Sequence, residues 1–142
     1  MSMKRRADFG HYVSVLAEVM ETTENMGAKL NPFFETFRKA LDEGKDISPE
    51  DYDKTKAEFE KGVELYENNL KKLQGLEAPI AIIGVHKKLV GAYRRFCEGC
   101  AHMNSSIDYA GRWVDAEQFD VSEKEQGNAM DDIARLVKKI MR

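Results

Sequence analysis

The chain has 142 residues, of which 42% are hydrophobic and 33% are charged. That size and balance are typical of one globular domain with a buried core, and they exclude a disordered chain. Its 22 Lys and Arg residues against 25 Asp and Glu residues give a net charge of −3, without the basic excess by which duplex-binding proteins neutralise phosphate. We therefore expect no nucleic-acid partner.

The start of the chain predicts neither a signal peptide nor a membrane span. Residues 1–6 are basic, but the segment that follows carries acidic residues such as Glu18 and Glu21 where a signal peptide would be apolar. The longest apolar run, residues 78–85, is far too short to cross a bilayer. We predict a cytoplasmic protein with no membrane partner, in which the two cysteines remain thiols.

Apolar side chains recur at spacings of three and four residues along four segments, which places each set on one face of a helix. These stripes run from Phe9 to Leu30, from Tyr52 to Leu73, from Ile83 to Ile107 and from Gln126 to Ile140. No segment shows the alternation of a strand. Because short links favour antiparallel neighbours, we predict an all-α, up-down-up-down antiparallel four-helix bundle, formed as a single domain by residues 1–142.

The first helix is predicted from near Arg5 to about Leu41, and it contains Pro32. Proline lacks a backbone N–H and clashes with the preceding turn. Two outcomes are open: the helix kinks at Pro32, or Asn31 caps a new helix. The apolar stripe stays in phase across the proline to Phe37, so we favour a kinked continuous helix.

Residues 42–46 predict the first turn, with Gly44 suited to a left-handed helix cap. Ser48 and Pro49 then predict the N-cap and the first residue of the second helix. That helix extends to about Gln74, where a glycine-containing linker follows.

Pro79 predicts the start of the third helix, which extends to about Ile107. Residues 108–121 are less regular and hold the only tryptophan. Ser122 and Glu125 form a capping box that starts, or restarts, the fourth helix.

The second linker carries a recognisable pattern. A Leu-rich helix end, an Ala-Pro turn and an early histidine follow one another at Leu70, Leu73, Leu76, Ala78-Pro79 and His86. This order resembles an uncharacterised family of small helical-bundle proteins of Gram-positive bacteria, and the similarity covers about residues 60–140. The resemblance implies the bundle fold and transfers no catalytic residue.

Cys97 and Cys100 form a C-x-x-C motif, but both lie inside the third helix on its apolar stripe. Redox motifs of this kind lie at a helix N-terminus, where the helix dipole stabilises the thiolate. A zinc site needs four ligands, yet His86 is almost three turns away and His102 lies on roughly the opposite side. We predict two buried thiols that bind no metal.

His86 lies on the core stripe of the third helix, so we predict a buried, structural histidine bonded to a tyrosine or carboxylate of a facing helix. The alternative is a small-molecule pocket between the helices near His86, Tyr93 and Cys97. The Glu-x-x-His motifs of di-iron bundles are absent from the sequence, and so are the common catalytic and phosphate-binding motifs. We predict no catalytic residue, no metal and no cofactor.

Three glycines of the third helix recur at spacings of seven and eight, opposite its core stripe. Each glycine inside a helix costs roughly 0.5–1 kcal/mol relative to alanine, so three on one face favour a close backbone neighbour. With their basic neighbours they form a predicted interaction surface of Gly84, Lys87, Lys88, Gly91, Arg94, Arg95 and Gly99. A plain solvated helix face is the alternative.

Two classes of function are compatible with these features. The first is a non-enzymatic protein–protein interaction module, whose partner is a second copy of the chain, as a homodimer, or another protein. The second is a small-molecule-binding protein or enzyme with a pocket near His86, Tyr93 and Cys97. Because no convergent set of polar residues is apparent, the sequence favours the first class.

Overall fold

Four α-helices and short connections make up the computed structural model, which describes residues 8–142. The helices are α1 (Phe9–Glu43), α2 (Pro49–Gly75), α3 (Ile83–Ser105) and α4 (Ala116–Ile140). A three-residue 3₁₀ helix, Ile80–Ile82, precedes α3, and an antiparallel hairpin of β1 (Ile107–Asp108) and β2 (Trp113–Val114) joins α3 to α4. The predicted all-α four-helix bundle is confirmed.

The helices do not pack equally. α3 packs most extensively on α4, while α1 packs on α2 and α2 packs on α3. Of the four pairs of helices that are neighbours around the bundle, α1 and α4 have the least mutual packing. The bundle is therefore closed on three sides and looser along the α1–α4 seam.

α1 runs without a break through Pro32, so the continuity of the favoured kinked helix is confirmed and the alternative cap at Asn31 is wrong; the kink itself stays a prediction. Proline removes the hydrogen bond that the carbonyl of Ala28 would accept. Both Ala28 and Pro32 are exposed, so water can replace the missing donor. The proline is tolerated because it lies on the solvent face.

The two ends of α1 are capped by side chain and backbone. Asp8 Oδ1 accepts a hydrogen bond from the N–H of Gly10 at 2.8 Å; the predicted start near Arg5 lies outside the described residues. At the other end Gly44 has a left-handed φ of 64°, and its N–H donates to the carbonyl of Ala40. The cap predicted at Gly44 is confirmed.

The start of α2 follows the prediction. Ser48 Oγ accepts from the N–H of Asp51 at 3.1 Å, and Pro49 is the first helical residue. The predicted start of α3 at Pro79 is wrong. The carbonyl of Pro79 instead accepts from the N–H of Ile82 at 3.0 Å in a 3₁₀ turn, so α3 begins one turn later.

α3 also ends before the predicted Ile107, because Ile107 is buried in strand β1 and pairs with Val114. The hairpin turn is held by Asp108, whose Oδ1 accepts from the N–H of Gly111 at 2.8 Å. Arg112 there has a positive φ of 53°. Two-residue strands are too short to show alternation, so the sequence gives no strand signal.

The predicted start of α4 at Ser122 is wrong. Asp115 Oδ1 accepts from the N–H of Gln118 at 3.1 Å, and α4 begins at Ala116. Ser122 lies inside the helix and is completely buried, with its hydroxyl donating to the carbonyl of Phe119 at 2.8 Å. A capping-box sequence therefore serves as helix interior because the serine satisfies its hydroxyl locally.

Two buried clusters fill the bundle. The larger includes Tyr12, Leu16, Leu73, Leu89, Ile133 and Ile140, and it joins the start of α1, the end of α2, the start of α3 and the end of α4. The smaller, at the opposite end, contains Phe37, Tyr52, Phe59, Met103, Ile107 and Phe119. Both sets combine the ends that an antiparallel bundle brings together.

Candidate functional site

His86 is part of the core, with only 6% of its surface exposed. Its Nε2 lies 3.1 Å from the carbonyl oxygen of Leu73, and its Nδ1 lies 2.8 Å from the hydroxyl of Tyr12. Because a carbonyl can only accept, Nε2–H donates to Leu73 and Nδ1 accepts from Tyr12. Burial lowers the pKa of His86, which keeps the ring neutral. The buried histidine bonded to a tyrosine is confirmed.

Tyr93 is completely buried and belongs to a polar network. The hydroxyl of Thr23 donates to the carbonyl of Val19 at 2.7 Å, so it accepts from the Tyr93 hydroxyl, also at 2.7 Å. Asn69 Nδ2 donates to the Tyr93 oxygen at 3.2 Å. The network links α1, α2 and α3 and satisfies polar groups that the sequence analysis did not single out.

The two thiols have different surroundings. Cys97 is buried, its thiol donates to the carbonyl of Tyr66 at 3.3 Å, and burial raises its pKa to about 12. Cys100 is only half-buried; its thiol donates weakly to Gln126 Oε1 at 3.6 Å, and burial raises its pKa as well. The prediction of a buried thiol is therefore confirmed for Cys97, whereas Cys100 is only partly buried.

Metal ligands do not converge in the part of the chain that the structure describes. Residues 8–142 contain no group of three or more His, Cys, Asp or Glu side chains that could hold a metal ion. His102, which was placed on the polar face, contacts α4 and bonds to Glu125 and Gln118. These partners raise its pKa, the bond to Glu125 most.

The predicted glycine face is divided between two environments. Gly99 is buried against α4: a Cβ built there would lie 3.0 Å from Gln126 Cγ and 3.2 Å from the Gln126 backbone nitrogen. Gly84 and Gly91 have open space at the same position. The assignment of Gly99 to a partner-facing surface is thus wrong, because its close neighbour is α4 of the same chain.

The cationic patch is smaller than predicted. Arg95 reaches α4, where its Nη1 lies 3.2 Å from the carboxylate of Asp132. Lys87, Lys88 and Arg94 are exposed and form no ion pair within residues 8–142. Of the predicted surface, these three cations remain available.

An open groove, here called the linker groove, lies between the end of α2, the second linker and α3. Its apolar residues include Leu76, Ala78, Pro79, Ile80, Ile83 and Val90, and Lys87, Gly91 and Arg94 also line it. Ile80 is 89% exposed and Ile83 is 47% exposed. The apolar run at residues 78–85 is the sequence signal for these isoleucines, although its length bears only on a membrane span and not on which of its residues are exposed.

A second cavity, here called the α1–α4 cleft, has a volume of about 480 Å³. All four helices line it, and its apolar wall includes Phe34, Phe59, Tyr66, Phe96, Met103 and Met130. Arg38 of α1 bridges the seam beyond one end, where it pairs with Asp120 at 2.8 Å and with Glu123. The cleft therefore lies along the seam between α1 and α4.

The cleft does not coincide with the predicted pocket. Tyr93 and Cys97 line neither cavity, and His86 borders the linker groove. On α3 the cleft is instead lined by Phe96, Cys100 and Met103. The apolar stripe of α3 could not show which of its residues pack in the core and which line a cavity, because both kinds recur at the same spacing.

None of the helices in residues 8–142 is both long and apolar enough to span a membrane. A comparison with protein families, with curated proteins and with solved structures finds no match for this chain.

Proposed function

We infer that this chain is a non-enzymatic interaction module that binds an acidic, apolar segment of another protein in the linker groove. The exposure of Ile80 and Ile83 is the observation that carries this proposal. Large exposed apolar side chains that line a groove mark interaction sites in monomeric proteins. In keeping with the sequence expectation, we propose that it acts in the cytoplasm.

The charge of the groove favours an acidic partner. Lys87 and Arg94 line it and have no acidic partner within residues 8–142, against one lining carboxylate, Glu77. Carboxylates of a bound segment would supply the missing charges and would steer its approach. A second copy of the chain fits less well, since a two-fold contact would place Lys87 and Arg94 against themselves.

The test is a pull-down from the native host with the purified chain as bait. We expect a specific partner to be retained by the wild type and lost with the double variant Lys87→Glu/Arg94→Glu. The matched control Lys54→Glu/Lys56→Glu changes the same charge on exposed residues of α2 that do not line the groove. Only the groove variant should lose the partner.

Two results would contradict the proposal. Equal capture by both double variants would show that the groove is not the contact. A stable dimer in light scattering that dissociates in Lys87→Glu/Arg94→Glu would assign the groove to a second copy instead.

A further inference from the structure

The α1–α4 cleft has the dimensions and chemistry of a small-molecule site that is independent of the linker groove. Its volume of about 480 Å³ falls within the range of about 300–1,000 Å³ that is typical of ligand pockets. Four aromatic rings line it, those of Phe34, Phe59, Tyr66 and Phe96. Such a wall buries an apolar body well and offers ring faces to a cation.

The charged groups of the cleft are all acidic. Glu24 of α1 and Glu123 of α4 line it, and no Lys, Arg or His among residues 8–142 does so. Glu123 is paired with Arg38, whereas Glu24 is exposed and in no ion pair within the described residues. Carboxylates around an apolar cavity favour a cation over an anion.

Gln126 adds a hydrogen-bond acceptor to the wall. Its Nε2 donates to the carbonyl of Gly99 at 3.3 Å, which orients the amide. Within residues 8–142 its Oε1 accepts only from the Cys100 thiol, at 3.6 Å, and a thiol is a weak donor. The oxygen can therefore accept from the N–H of a bound ammonium group.

Gly27 keeps the cleft open on the side of α1. It lies at the middle of the cleft-lining positions of α1, between Glu24 and Leu30, and a Cβ built there meets nothing within 4 Å. A side chain added there would therefore start from open space at the wall of the cleft.

We propose that the α1–α4 cleft binds a small lipophilic organic cation: a protonated amine whose apolar body lies among the four rings and whose ammonium group faces Glu24 and Gln126 Oε1. This proposal does not depend on the interaction function of the linker groove.

The probe for the test is dansylcadaverine, a fluorescent lipophilic primary amine that is protonated at neutral pH, titrated into the full chain. Gly27→Leu should weaken binding by about tenfold, the loss expected when a side chain fills part of a site. Gly127→Leu is its matched control, since Gly127 is an exposed α4 residue with open space that does not line the cleft. Because leucine favours helix over glycine, both variants should be at least as stable as the wild type.

The charge is tested separately. Glu24→Gln should weaken binding by about threefold at low salt, as expected for an exposed charge pair. Glu21→Gln, an exposed residue of the same helix that does not line the cleft, should leave binding unchanged. Equal effects of these two variants would overturn the assignment of Glu24.

Cys100 reports on the location of the probe. In a Cys97→Ala background, a saturating probe should slow the reaction of Cys100 with N-ethylmaleimide, because Cys100 lines the cleft. Undiminished labelling, equal affinity of Gly27→Leu and Gly127→Leu, or no binding by the wild type would each overturn the proposal. Tighter binding of the anionic probe 8-anilinonaphthalene-1-sulfonate would overturn the cationic ligand class.

Discussion

His86 shows how one side chain can hold several helices together. It receives a hydrogen bond from Tyr12 of α1 and donates one to Leu73 of α2, while its own backbone belongs to α3. Each bond fixes the role of one ring nitrogen, so neither partner can be replaced without leaving a buried group unpaired. These two hydrogen bonds assign His86 to the core, although the sequence also allowed it to line a pocket.

Tyr12→Phe removes the donor to His86 Nδ1 and leaves that nitrogen buried without a partner. We expect the free energy of unfolding to fall by about 1–3 kcal/mol, measured by urea denaturation. Tyr52→Phe is the matched control, since the buried Tyr52 has no hydrogen bond from its hydroxyl within residues 8–142. Its effect should stay below about 0.5 kcal/mol. Equal losses in the two variants would argue against the His86 bond.

At the scale of the helix, α3 presents three glycines in two environments. Gly91 has free space around its missing side chain, whereas Gly99 allows the backbone of α4 to come close at Gln126. A regular spacing in sequence thus produces one functional packing contact and two positions that tolerate a side chain. The difference depends on α4 alone.

Gly91→Ala and Gly99→Ala should therefore change stability in opposite directions. Alanine favours the helix at both positions, so Gly91→Ala should raise the free energy of unfolding by about 0.5–1 kcal/mol. At Gly99 the added methyl group would press on Gln126, and the overpacking should outweigh that gain and give a net loss of about 1 kcal/mol. Thermal or urea unfolding measures the stability of both variants. Equal gains in stability would show that α4 moves aside for the added methyl group without cost.

At the scale of the whole molecule, two histidines make the stability of the bundle depend on pH in opposite directions. Burial lowers the pKa of His86 below its ordinary value of 6.5, so its contribution to stability is complete above that pH and is lost as the pH falls below it. The bonds to Glu125 and Gln118 raise the pKa of His102, so its contribution is complete below 6.5 and is lost as the pH rises through the raised value.

His102→Gln should remove the part of this pH dependence that lies above pH 6.5. The wild type should lose stability as the pH rises from 6.5 through the raised pKa of His102, because His102 deprotonates there, and the variant should not. Below pH 6.5 both proteins should lose stability as the unfolded chain protonates His86 first. Urea unfolding at a series of pH values measures the free energy of unfolding above and below pH 6.5. A parallel pH dependence of the two proteins above pH 6.5 would contradict the role of His102.

The sequence by itself determined the local features of this protein. The four apolar stripes, the left-handed cap at Gly44 and the Ser48-Pro49 helix start all depend on residues close together in the chain, so they could be predicted with their residue numbers. The burial of His86 followed from the same periodicity. These features follow from backbone geometry and from the pattern of apolar residues.

Only the tertiary structure decided which faces meet. Periodicity places Gly91, Gly99 and Arg95 near one another on α3, but it is α4 that covers Gly99 and binds Arg95 while leaving Gly91 free. The loose α1–α4 seam likewise depends on how four helices share the core, and no local pattern encodes that distance. The positions of the two cavities could therefore not be predicted from the sequence. Packing between distant segments depends on how well their side chains fit together, and the spacing of apolar residues within one segment does not reveal that fit.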